Sequence, residues 1–191
     1  MNKGLIILGI LVIFVILMIF GFGFYQGFFN TMVSLDQRVQ SSWAQVENQL
    51  QRRFDLIPNL VNTVKGYAAH EKGVLEEVTR LRSQWASAPS VPDKVAAANE
   101  LTGVLSRLMV ISENYPNLKA DQHFLALQSQ LEGTENRIAV ERMRYNQSVQ
   151  QFNAYQQSLL GRFFVGQTGL TQPAVYFKAQ EGATQVPVVK F

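Results

Sequence analysis

The sequence predicts an all-α fold: an N-terminal transmembrane helix, an up-and-down four-helix bundle of long helices, and an irregular C-terminal tail. Three observations predict it. Residues Gly4 to Tyr25 form one uncharged apolar run, apolar residues between Met32 and Leu159 return in steps of seven, and from Gly161 onward Gly, Pro and Thr replace the helical pattern. The corresponding divisions are 1–28 for the anchor, 29–160 for the bundle and 161–191 for the tail.

The run GLIILGILVIFVILMIFGFGFY holds 22 residues, sixteen of them Leu, Ile, Val or Phe. At about 1.5 Å of rise per residue it is long enough to cross the hydrocarbon core. Each such side chain favours insertion by roughly 0.3–0.6 kcal/mol, so the segment gains about 5–10 kcal/mol before position is considered. A cleaved signal peptide is the competing reading, because Gly21-Phe22-Gly23 is a small-x-small pattern. The run, however, exceeds the ~7–15 apolar residues of a signal core. Gly23 and Gly27 form a GxxxG, the spacing that lets two spans approach closely. Lys3 lies on the short side of the span and the first basic residue beyond it is Arg38. This asymmetry predicts a single-pass protein with its bundle on the extracytoplasmic side of the cytoplasmic membrane.

Four helices follow the anchor. The first covers Phe28 to Phe54, with Met32, Val39 and Val46 seven apart and Leu35, Trp43 and Leu50 beside them. The pattern restarts at Arg52-Arg53-Phe54-Asp55-Leu56-Ile57-Pro58, which reads as a tight turn. Arg52 and Arg53 suit a helix C-terminus, Asp55 is the expected N-cap of the second helix, and Pro58 fits its first turn. That helix carries Ile57, Val64, Val78 and Trp85 to about Ala88, where Pro89 and Pro92 mark a loop. Asp93 is the expected cap of a third helix running to about Tyr115. The fourth extends from about Asn117 to Leu160, with Phe124, Leu131, Ile138, Tyr145, Phe152 and Leu159 in seven-residue steps, the period of helices wound side by side. Helix lengths of about 26, 34, 23 and 44 residues leave the last longer than its return path at about 1.5 Å per residue. Arg162, Phe163 and Phe164 are therefore candidate membrane-interface residues. In the tail, 175–177 and 186–191 are short β-prone pieces.

Little chemistry is available. With 17 Lys+Arg against 14 Asp+Glu the net charge is +3, too small and too dispersed for a nucleic-acid footprint. The absence of cysteine excludes disulfides, thiolate nucleophiles and Cys-ligated zinc. His70-Glu71 begins like a metalloprotease motif, but position 74 is Val where the second His is required. Glu135, Arg137, Glu141, Arg142 and Arg144, with Glu71, Glu113 and Lys65, are expected to pair across the bundle and fix register. The reading is non-enzymatic, with no catalytic residue, no metal and no cofactor.

The segments Gln51-Arg52-Arg53-Phe54-Asp55-Leu56-Ile57-Pro58-Asn59-Leu60-Val61, Val64-Lys65-Gly66-Tyr67, His70-Glu71, Glu113 to Ala120, Glu135 to Ala139 and Arg144-Tyr145-Asn146 together resemble the bacterial LemA family. The resemblance implies one anchor, an up-and-down helical domain, no established enzymatic activity and a connection with membrane organisation. It departs at Phe163-Phe164-Val165-Gly166, where similar proteins tend to carry Phe-Pro.

Two functions are weighed. The first is a scaffold that self-associates into a homo-oligomer and organises or shapes membrane lipid, with Gly23, Gly27, Arg52, Arg53, Asp55 and Pro58 as candidate oligomer contacts. The second is an adaptor or receptor that holds another envelope protein, such as a membrane protease, on one helical face.

Overall fold

The computed structural model describes residues 3–68 and 70–178, with the side chains of 3, 5 and 164 left aside. Among them are six helices and no strand: α1 (Lys3–Tyr67), α2 (Lys72–Ser87), α3 (Val91–Ser112), α4 (Pro116–Lys119), α5 (Gln122–Gln157) and α6 (Leu159–Thr168). They form two compact units, one of residues up to Ser41 with Ser148–Ala174, the other of Ser42–Gln147 with the segment from Val175.

The expected turn at Arg52–Pro58 is absent. Pro58 lies inside α1, which runs on to Tyr67. An internal proline costs about 3 kcal/mol through its missing N–H and its ring. Against that, Val46, Leu50, Phe54, Ile57, Leu60 and Val64 are all essentially fully buried on both sides of it. Each contributes roughly 1.5–3 kcal/mol, so the stripe outweighs the local preference. Asp55 caps nothing and instead accepts a hydrogen bond from Gln51 Nε2 at 2.8 Å.

The chain reverses later, after Gly66-Tyr67, and α2 begins at Lys72. The second predicted helix is thus the end of α1 plus a separate α2. At the next turn Ser90, not Asp93, is the N-cap of α3, accepting from the Asp93 amide at 3.3 Å. The Ser90 hydroxyl also donates to the Asp93 carboxylate, which holds the cap in place. Pro116 opens the four-residue α4, after which Asp121 accepts from the Phe124 amide at 2.8 Å and starts α5.

In the second unit, Trp43–Tyr145, Arg53–Glu135 and Tyr67–Asp121 are contacts between α1 or its end and α5 or its start, each step along one matched by an equal step back along the other. α1 and α5 are therefore antiparallel. Arg80–Glu100 and Glu77–Arg107 make α2 and α3 antiparallel as well, whereas Glu47–Lys94 and Arg53–Thr102 run α3 parallel to α1. This is an up-and-down arrangement of α1, α2, α3 and α5. α3 is also long and apolar enough to cross a membrane, yet Leu101, Val104, Leu105 and Leu108 are buried in the core. Phe54 stacks on Trp85 at 4.6 Å, and Lys94 lies 5.6 Å over the Trp85 ring.

The seven-residue stripe of α5 holds from Phe124 through Phe152, all buried, and fails at its next step, where Leu159 is 89% exposed. The helix ends at Gln157, and Ser158 caps α6 by accepting from Gly161 N at 3.0 Å. The fourth helix thus stops short of Leu160, and part of the expected irregular tail is helical.

Candidate functional site

In the first unit, the large apolar residues of α1 from Ile6 to Phe24 are mostly half or more exposed, reaching 75% at Phe20. This stretch is long and apolar enough to cross a membrane. Side chains apolar on every face of a helix suit lipid. The pattern changes at Phe28, which is buried, followed by buried Met32 and Val39. Tyr155 of α5 stacks on Phe28 with centroids 4.8 Å apart and directs its hydroxyl to the Phe28 carbonyl at 3.4 Å.

The candidate residues predicted from sequence divide between the two units. Gly23 and Gly27 are exposed on α1 with open space where a Cβ would stand. Arg162 and Phe163 are exposed on α6, Phe163 by 73%. Phe164 belongs to α6, but its side chain is outside the described residues. In the second unit Arg52, Asp55 and Pro58 are exposed along α1. Arg53 is buried, with its guanidinium 2.9 Å from Glu135 and donating to Thr102 Oγ1 at 3.0 Å. Burial lowers the Arg53 pKa and the nearby Glu135 charge opposes that shift. Arg53 is therefore a tie among α1, α3 and α5, not an exposed contact at a turn.

The remaining predicted charges mostly find local partners. Glu141 pairs with Arg144 at 2.7 Å, Glu113 with Lys119, and Glu71 accepts from the Tyr115 hydroxyl at 3.0 Å. The last bond raises the Tyr115 pKa, with desolvation and the Glu71 charge adding to it. Tyr67 similarly donates to Asp121 at 3.0 Å and has a raised pKa, chiefly from that bond. Asp121 is shifted down, first by the Phe124 amide. These two tyrosines close the turns at this end of the unit. Among the described residues no group of three or more His, Cys, Asp or Glu is placed to hold a metal ion.

Sequence reasoning missed the fastening of the C-terminal segment. In the second unit Asn146 donates Nδ2 to the Phe177 carbonyl at 3.0 Å and accepts from the Phe177 amide at 2.9 Å. Tyr145 donates to the Val175 carbonyl at 2.7 Å, and Phe177 is buried with Arg142 5.6 Å over its ring. In the first unit Asn153 makes the same two bonds with Ala174, at 2.9 and 2.8 Å, and Gln156 donates to Leu170 O. The available signal was two asparagines seven apart on α5. A side-chain amide mimics a neighbouring strand's backbone, so the 175–177 piece gains pairing without a sheet. The 186–191 piece lies outside the described residues.

The span and the antiparallel helices define a membrane-anchored helical protein. The profile of the LemA family matches residues 42–191, and the chain belongs to that family. It is similar to magnetosome proteins MamQ 1 and MamQ 2 of Paramagnetospirillum magneticum (strain ATCC 700264 / AMB-1), 23% identical over 151 residues with 65% of this chain covered in each comparison. The chain spans 56% of the length of each of these curated relatives. It is a membrane-associated bacterial protein of this family.

Proposed function

We propose that the protein is a non-enzymatic scaffold of the cytoplasmic membrane that self-associates and organises the surrounding lipid. The observation that carries this reading is the outward face of α5 in the second unit, where Val140 is 43% and Met143 55% exposed. With Asn136 and Gln147, also exposed, they follow the seam spacing of a two-helix contact. Gly23 and Gly27 offer a second, open surface on the span. Lys3 on the short N-terminal side supports an extracytoplasmic bundle. The test is the mass of the full-length protein in mild detergent, by light scattering corrected for the micelle. A homogeneous assembly that falls apart on Val140→Lys with Met143→Lys supports the scaffold, and a monomer at native membrane concentration sinks it.

An adaptor role is favoured by a different feature, a groove of about 700 Å³ between α1 and α2 with Val61 and Leu75 on its floor and Lys65, Lys72 and Glu76 around it. It predicts a small particle that gains mass only with a second envelope protein. Lys72→Glu with Val61→Asp then abolishes that gain.

A further inference from the structure

α6 has the amphipathy of a water-facing helix turned inside out. Its inner side is Gly161, Val165 and Thr168, buried or half-buried, and its outer side comprises Leu159, Leu160, Arg162, Phe163, Gly166 and Gln167, all exposed. At 100° per residue, Leu159 and Phe163 fall near the centre of that outer arc, with Arg162 on one side and Gln167 towards the other. A helix facing water places its polar residues at the centre and its apolar residues inside. Leu159 is 89% and Phe163 73% exposed.

The outward placement is built in by a corner. A Cβ at Gly161 would stand 2.2 Å from the Tyr155 carbonyl oxygen and 2.4 Å from that of Gln156. The first turn of α6 therefore packs directly on the last turn of α5, closer than any side chain allows. A straight continuation would keep position 161 clear of those carbonyls and carry Leu159 onward in the buried stripe of Phe152. The sequence instead gives up a core position and turns it outward. The corner also has a defined place in its unit. Tyr155 is against Phe28, and Phe24, the last strongly exposed large apolar residue of the span, is one helical turn from Phe28.

We propose that α6 is an interfacial helix, lying beside the span with Leu159, Leu160 and Phe163 in the headgroup–acyl boundary and Arg162 reaching lipid phosphates. Continuity with the lipid-facing surface of α1 in the same unit selects the bilayer as the occupant. Helices of this kind sit about 5–10 Å into the boundary, and a long basic stem at the edge reaches back to the phosphates. The proposal rests on the reading of α1 as a membrane span and is independent of self-association. The second contact restrains how the anchored unit tilts on the membrane.

The chain has no cysteine, so single cysteines report cleanly. Full-length protein with Leu159→Cys or Phe163→Cys carries an environment-sensitive dye in vesicles of phosphatidylglycerol and phosphatidylethanolamine. Ile13→Cys serves as the deep reference and Gln150→Cys, exposed on α5, as the aqueous one. Expected are strong quenching of 159 and 163 by shallow lipid-borne nitroxide, several-fold above position 150, and weak quenching by aqueous iodide. Gly161→Leu, which forces the corner open, moves the position-163 emission to the red with helicity retained. Iodide quenching at 159 and 163 equal to that at 150 overturns the proposal. So does shielding from both quenchers, which assigns the face to a protein neighbour. Loss of lipid quenching at Ile13 itself refutes the span, and the particle mass measured on the same samples reports the scaffold reading separately.

Discussion

Tyr155 and Phe28 are 127 residues apart in sequence, yet their rings stack at 4.8 Å with planes 21° apart where α1 passes from an exposed apolar surface to a buried stripe. The stack, more than the long 3.4 Å hydrogen bond, fastens this unit. Phe28→Ala is expected to lose about 3 kcal/mol through the cavity left behind, and Tyr155→Phe less than about 1 kcal/mol. Urea unfolding in detergent, followed by tyrosine fluorescence and circular dichroism, checks the ranking. Equal losses would show that the hydroxyl contributes as much as the ring contact.

Arg53 is a buried cation with a half-exposed counterion. The two sides of its pair should therefore respond differently. Glu135→Ala leaves the guanidinium buried without its charge partner and is expected to destabilise by about 1–3 kcal/mol. Arg53→Met with Glu135→Ala removes both charges while keeping an apolar stem and should recover most of that loss. Chemical denaturation of the single and double variants decides it; a double variant as unstable as their sum contradicts the account.

The Tyr67–Asp121 bond makes stability depend on pH at both ends. Tyr67 has a raised pKa in the folded protein, so its contribution is full below the ordinary tyrosine range and lost as pH rises through the folded value. Asp121 is lowered, so its contribution is present above the ordinary carboxylate range and lost as pH falls through its folded value. Tyr67→Phe should flatten the alkaline decline of Tm and leave most of the acid decline, because the Phe124 amide is the main cause of the Asp121 shift. An unchanged alkaline slope in the variant would assign it elsewhere.

Asn146 and Asn153 each hold one tail residue by two bonds, and each should control its own segment. Asn146→Ala is expected to raise amide exchange at Phe177, and Asn153→Ala at Ala174, by the equivalent of about 1–3 kcal/mol. Hydrogen exchange read by mass spectrometry tests this. Protection that survives both substitutions would mean that Phe177 burial alone secures the tail.

Much of the helical content was legible because a seven-residue stripe is a long, redundant signal. Phe124, Leu131, Ile138, Tyr145 and Phe152 are each buried as the period requires. Turns were less legible because they depend on few residues. Asp55 and Pro58 carry the local marks of a helix start, and the buried stripe through Phe54 and Ile57 overrides them. The true cap of α3 was one turn earlier than expected, at Ser90, whose hydroxyl accepts from the Asp93 amide. At the candidate interface Phe163 was reached from helix lengths that the structure redivides, since α1 runs on to Tyr67 and α5 ends at Gln157. The structural cause of its exposure is the Gly161 corner.

By itself the sequence determined the span and the all-helical class, since these depend on hydropathy and period summed over many positions. Tertiary structure decided where the chain reverses, that Arg53 is a buried tie, that two asparagines hold the tail, and that Leu159 leaves the core. Each of these is a competition between a local preference of a few kcal/mol and packing against residues distant in the chain, and only the fold specifies the second term.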